Sequence, residues 1–142
     1  MSMNAQVYNQ YKKATVETAS PGRLLLMLYD GAIKNINNAI IAINTKDNNK
    51  AHNDIIKTQD IIMELMSTLN MDYEISKSLY SLYDFLMNRL IEANINKDAK
   101  MLEEVAVFVG ELRDTWQEVV KKQSNAQMAN PANNVASFSL KG

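Results

Sequence analysis

Residues that could carry out chemistry are few in this 142-residue sequence. There is no cysteine, and the single histidine, His52, lies in a polar stretch at the start of a predicted helix. A lone histidine in that setting is far more often a surface residue than a metal ligand or a general base. Ser20 has no partner base in the pattern, so nucleophilic catalysis is not indicated. The sequence predicts that the protein is not an enzyme.

A row of carboxylates on the fourth predicted helix is the best candidate for a metal site. Its members share one face of a predicted helix: Glu104, Glu111, Asp114 and Glu118. Bundles that bind two metal ions through carboxylates use Glu-x-x-His pairs, and none occurs here. The four glycines are scattered, so no phosphate-binding loop is indicated either. We therefore expect a solvated carboxylate face, no metal and no cofactor.

Composition excludes several classes of function. The net charge is −1 and there is no basic block, which argues against binding to nucleic acid or to acidic membranes. No uncharged apolar run reaches the length of about 18 residues that membrane insertion needs, and residues 1–17 contain no apolar signal-peptide core. The absence of cysteine fits a reducing cytoplasm. We expect a cytoplasmic protein of a single domain.

Four amphipathic segments would have to position any functional surface. The predicted helices cover 21–44, 50–69, a third segment capped by Asp72 and ending before 94–96, and 97–123. Ser20 and Pro21 form a start signal for the first, as N-cap and first helical residue. Apolar residues at steps of three and four predict the core: Leu25, Leu28, Ala32, Ile36, Ala39 and Ile43; Ile55, Ile62, Leu65 and Leu69; Ile75, Leu79, Leu82, Leu86, Leu90 and Ala93; Leu102, Val105, Val109, Leu112, Trp116 and Val119.

Short breaks between long helices predict an all-α fold, an antiparallel up-down four-helix bundle. We expect an N-terminal segment at 1–19, the bundle at 20–123 and a flexible C-terminal tail at 124–142. A three-helix core with a loosely attached fourth helix is the alternative.

Three of the helices carry second apolar rows that one core does not need. These rows are Leu26, Ile33 and Ile40; Ile56 and Met63; and Tyr73, Tyr80, Met87 and Ile91. A monomer rarely leaves a large apolar patch in water, so a partner, a second copy or the chain's own ends should cover them. We expect them to form one binding surface across three adjacent helices. The alternative is that the assumed helix phases are wrong and some of these residues are core.

Several stretches resemble a known family. They are Tyr8-Asn9-Gln10-Tyr11, TASPGRLLLMLYDGAI at 18–33, SLYDFLMNRLIEAN at 81–94 and LEEVAVFVGELRDTW at 102–116. In order and spacing they resemble the flagellin-specific export chaperones, FliS, over about residues 5–120. The resemblance implies a bacterial cytoplasmic bundle that binds the disordered C-terminal segment of flagellin. Binding would prevent premature polymerisation and keep flagellin competent for flagellar type III secretion.

The resemblance also implies roles for particular residues and partners. Tyr8 and Tyr11 would belong to a lid over the empty client groove. Further partners would be an export-gate component, the flagellar anti-sigma factor or a co-chaperone. The resemblance and the surplus rows together predict a client groove, in which Gly31 would allow close approach of the client. Its residues would be Gly31, Ile33, Ile40, Ile56, Met63, Tyr80 and Met87.

Two other interpretations stay open at this point. A structural homo-oligomer, such as a homodimer, or an adaptor without a secreted client would also cover the surplus rows. The tail at 124–142 resembles the extreme C-terminus of flagellins, from Ala126-Gln127-Met128-Ala129-Asn130-Pro131 through Val135, Ser137 and Leu140. It could occupy the client site in its own or a neighbouring molecule.

Overall fold

The computed structural model describes residues 21–129, and the side chains of 22–122 within them. This part of the chain forms four α-helices: α1 Pro21–Asn44, α2 Asn48–Ser67, α3 Glu74–Asn96 and α4 Ala99–Ala129. It contains no strand, so the predicted all-α class is confirmed. Within this range, no helix is both long enough and apolar enough to cross a membrane.

The helices form an up-down bundle in which each packs against its neighbours in sequence and α4 closes the bundle against α1. The helix α1 packs closely against both α2 and α4, whereas α3 is held less closely by its two neighbours. An ion pair between Asp30 of α1 and Arg113 of α4, 2.6 Å from Nε to Oδ1, fixes the register of that antiparallel pair. The predicted bundle is therefore confirmed.

Hydrophobic burial explains the arrangement of the core. Most of the predicted rows are buried, among them Leu28 and Ile36 of α1, Ile55 and Ile62 of α2, and Val109 of α4. Each fully buried side chain of this size contributes about 1.5–3 kcal/mol relative to exposure. The glycine Gly31 lies where α1 meets α2, since a Cβ there would be 3.3 Å from Cδ1 of Ile61. A glycine at this point therefore permits the close approach of α1 and α2.

A hydrogen-bonded pair of tyrosines crosses the centre of the bundle. The hydroxyls of Tyr29 on α1 and Tyr83 on α3 lie 2.5 Å apart, and both side chains are buried. The side chain of Trp116 also hydrogen-bonds to Tyr29, so α4 takes part in the same cluster. Burial raises the pKa of both phenols above the usual value for tyrosine. The sequence did not single out this pair.

The structure corrects several expected details. Ile75, predicted in the core, is 64% exposed, because it lies in the first turn of α3 at the end of the bundle and Ser76 takes the buried position. Asp72 is not the cap of α3: Tyr73 occupies that position without a side-chain hydrogen bond. The helix α4 continues past 123 to Ala129, because no helix breaker precedes Pro131. Residues 124–129, expected in the tail, are therefore helical.

Some predictions fall outside the described residues. They concern the lid segment 1–19 with Tyr8 and Tyr11, the cap at Ser20 and the tail beyond Ala129.

Candidate functional site

The surplus apolar residues lie on two separate flanks of the bundle. We call the first the α2–α3 flank, formed by Ile56 and Met63 of α2 with Tyr80, Met87 and Ile91 of α3. We call the second the α1–α4 flank, formed by Leu26, Ile33 and Ile40 of α1 beside α4.

One hydrogen bond between α2 and α3 locates the α2–α3 flank. Nε2 of Gln59 on α2 donates to Sδ of Met87 on α3 at 3.5 Å. Ile56 and Met63 lie three residues before and four residues after Gln59, so they share its side of α2. Tyr80 is seven residues before Met87 and therefore shares its side of α3.

The α2–α3 flank is substantially open to solvent. Ile56 is 38% exposed, Met63 58% and Tyr80 45%, while Met87 is half-buried between the helices. Methionine and tyrosine side chains suit adaptable contact with a partner, because methionine is flexible and tyrosine combines an apolar ring with a hydrogen-bonding tip. This flank offers binding through apolar burial.

The ion pair between Asp30 and Arg113 locates the α1–α4 flank. Ile33 follows Asp30 by three residues and so lies about 60° from it around α1, on the side towards α4. Ile40 and Leu26 are each seven residues from Ile33 and continue the same row. Ile33 and Ile40 are half-buried and pack partly against the core. The hydrogen bond to Asp30, and then the charge of Asp30, raise the pKa of Arg113.

Gly31 belongs to neither flank. It faces Ile61 of α2, and two residues along a helix place it about 160° from Ile33. The expectation of one surface across three adjacent helices was therefore wrong: the apolar row of α1 faces α4, not α2. Whether Gly31, Ile33, Ile40, Ile56, Met63, Tyr80 and Met87 bind a client stays a prediction.

Sequence reasoning missed a third cluster, between α3 and α4. The rings of Phe85 and Phe108 lie 6.3 Å apart, and the guanidinium of Arg89 lies 5.9 Å from the ring of Phe85. Arg89 also donates to Glu104 at 2.8 Å. Phe85 is 50% exposed, and Val107 of α4 is exposed as well. The signal was present in the sequence, because Phe85 lies two residues from Met87 and hence on the other side of α3.

The candidate catalytic residues have ordinary surface environments. His52 is exposed and its Nδ1 lies 2.9 Å from Nδ2 of Asn94, so its predicted surface position is confirmed. Of the carboxylate row, Glu104 pairs with Arg89 and Asp114 lies 3.6 Å from Arg113. Among the described side chains of 22–122, no group of three histidine, aspartate or glutamate residues is placed to hold a metal ion.

Known proteins resemble this chain in sequence. The family model described as "Flagellar protein FliS" matches residues 4–123. A protein of Bacillus subtilis (strain 168), named "Flagellar secretion chaperone FliS", is 41% identical over 82% of this chain and 87% of its own length. A protein of the same name from Vibrio cholerae is 31% identical over 84% of this chain and 92% of its own length.

A solved structure shares the fold. It is described as "Crystal structure of flagellar chaperone from bacteria", with a TM-score of 0.69 over 84% of this chain and 98% of that one. Sequence identity is 19%, so this likeness concerns the helical architecture alone.

Proposed function

This chain belongs to the FliS family of flagellar proteins, a family of secretion chaperones and not of enzymes, and from that premise we propose its client and its mode of binding. The client is the C-terminal segment of flagellin, bound in the bacterial cytoplasm before export. Covering this segment prevents premature polymerisation and keeps flagellin competent for flagellar type III secretion. The observation that carries the proposal is the exposed apolar surface of the α2–α3 flank, where Met63 and Tyr80 are each about half exposed.

Dimensions support a disordered client. A segment that folds on binding has to bury about 1,000–3,000 Å² to offset its ordering entropy. The helices α1 and α2, of 24 and 20 residues, are about 36 and 30 Å long. A client that forms helices on binding could lay an apolar face on each flank, the helix-in-groove mode of recognition. Because the flanks lie on different sides of the bundle, one client must wrap around the protein to use both.

Further partners follow from the family rather than from the contacts described above. Tyr8 and Tyr11 would cover the groove when it is empty. Release needs no nucleotide, since an export-gate component can compete for the client. The flagellar anti-sigma factor and a co-chaperone are additional candidate partners.

Charged substitutions on the α2–α3 flank test the proposal. Calorimetric titration of the wild-type protein with a peptide of the flagellin C-terminal segment should give saturable binding. Tyr80→Asp should weaken it by roughly tenfold or more, because interface tyrosines often contribute above 1.4 kcal/mol. The melting temperature should stay near the wild-type value, because Tyr80 is 45% exposed.

Val107→Asp is the matched control, because Val107 is an apolar residue that is 63% exposed and lies on α4, outside the α2–α3 flank. Its affinity should equal that of the wild type. A flat titration of the wild type would contradict flagellin as client. A concentration-independent dimer that persists in Tyr80→Asp would instead favour a structural homo-oligomer.

A further inference from the structure

The helix α4 contains a glycine that its own bundle does not require. A Cβ at Gly110 would meet no atom within 4 Å, whereas one at Gly31 would press on Ile61 at 3.3 Å. Gly110 does not have a positive φ, so its backbone conformation is open to other residues. A glycine inside a helix lowers helix stability relative to alanine. The packing of α4 within the bundle therefore gives no reason for glycine at this position.

The position of Gly110 suggests a reason. Gly110 lies three residues before Arg113, which pairs with Asp30. Because α1 and α4 are antiparallel, the residue of α1 at the level of Gly110 is three residues after Asp30, which is Ile33. Gly110 is therefore level with Ile33, the middle residue of the α1–α4 flank. It is partly exposed, and a Cβ added there would point into open space at that level of the α1–α4 flank.

The row of α1 has the spacing that a helical partner would match. Leu26, Ile33 and Ile40 recur every seven residues, which is the repeat by which one helix meets another along a shared seam. The distance between packed helix axes depends on the side chains at the contact, and it is shortest where those are small. Open space at Gly110 would let a helix settle deeply on this row.

We propose that Gly110 is the point at which an α-helix of the flagellin client comes closest to this protein, lying along the α1–α4 flank. The inference rests on the proposed function, because it concerns how that client is bound. Gly110 is then a positioning residue: the missing side chain lowers the stability of the free bundle but raises the affinity for the client.

The test uses two opposite effects of one substitution. Gly110→Ala and Gly110→Leu should each raise the melting temperature of the free protein by a few degrees, because both residues favour helix and the added Cβ would meet no atom within 4 Å. Both should weaken binding of the flagellin C-terminal peptide. We expect roughly threefold for alanine and tenfold or more for leucine, because the added atoms hold the client helix away.

Ser78→Ala is the control, at an exposed position of α3 two residues before Tyr80 and therefore on the other side of that helix. It should leave the affinity unchanged. Wild-type affinity in both Gly110 variants would overturn the inference while leaving the client assignment intact. Absence of peptide binding by the wild-type protein would overturn the proposed function, and the inference with it.

Discussion

At the scale of single residues, the tyrosine pair is the most unusual feature of the interior. Tyr29 and Tyr83 join diagonally opposed helices through one hydrogen bond, to which Trp116 adds a third helix. A buried hydroxyl without a partner costs about 1–3 kcal/mol, so each member depends on the others. The cluster favours one relative placement of α1, α3 and α4. It therefore gives the otherwise apolar core a specific polar link between these helices.

The same pair predicts a loss of stability at alkaline pH. Burial raises the pKa of both phenols above the usual value of about 10, so above that pH the folded chain keeps protons that the unfolded chain releases. The free energy of unfolding should be unaffected below about pH 10 and should fall above it, by up to about 1.4 kcal/mol per pH unit for each tyrosine. Urea denaturation between about pH 8 and 11 measures this slope.

Absorbance of tyrosinate provides the control. Ionisation of Tyr29 and Tyr83 should be delayed to higher pH, and the double variant Tyr29→Phe/Tyr83→Phe should lack that late component. Ionisation of every tyrosine near pH 10 in the folded protein would contradict the expected burial effect.

At the scale of elements, α3 differs from the other helices. It packs less closely than α1, its N-cap Tyr73 makes no side-chain hydrogen bond, and its exposed apolar residues include Ile75, Tyr80 and Phe85. By contrast, Asp47 caps α2 by accepting a hydrogen bond from the backbone of Lys50 at 3.1 Å. Because α3 has fewer packing contacts and no side-chain hydrogen bond at its N-cap, it should be the helix that unfolds locally with the lowest free energy.

Hydrogen exchange tests this ranking. Amides of α3 should exchange faster than those of α1, most of all in the first turns after Glu74. Mass spectrometry of peptic fragments resolves the helices separately. The α1 amides between Leu28 and Ala39 provide the internal reference, because their side chains line the core. Equal protection of α1 and α3 would show that the looser packing has no energetic effect.

The sequence predicted the helices and most of the core, because apolar residues recur with the helical period in all four segments. It missed Tyr83 because Tyr80 and Tyr83 are the same residue type three positions apart, and periodicity alone does not rank them. Only the packing shows that Tyr83 is buried and Tyr80 is exposed.

The two flanks could not be separated from the sequence. The helical period gives the angle between Ile33 and the core row, but it does not say which neighbouring helix lies on that side. That depends on the handedness of the bundle, which the pattern of a single helix does not contain. Ile33 and Ile40 therefore seemed to share a surface with Met63, whereas their row faces α4.

At the scale of the whole molecule, the separation of the flanks predicts how a long client is held. A peptide that spans both flanks should lose affinity, by roughly three- to tenfold, for Met63→Asp on one flank and for Ile40→Ala on the other. Each half of the peptide should be sensitive to only one of the two variants, because each half contacts one flank. Calorimetric titrations of the full peptide and its halves make the comparison.

The melting temperature of Ile40→Ala should be measured together with its affinity, because Ile40 packs partly against the core and its loss could destabilise the fold. If both halves responded to the same variant, the client would occupy a single flank.

The order of the helices around the bundle has a kinetic consequence. Because α1 packs on α2, α2 on α3 and α3 on α4, most contacts join segments close in sequence, and only the closure of α4 on α1 is distant. Topologies of this kind fold quickly, on the order of microseconds to milliseconds. The hairpin of α1 and α2 is complete in sequence by Ser67, so it can form on the ribosome while α4 is still being synthesised.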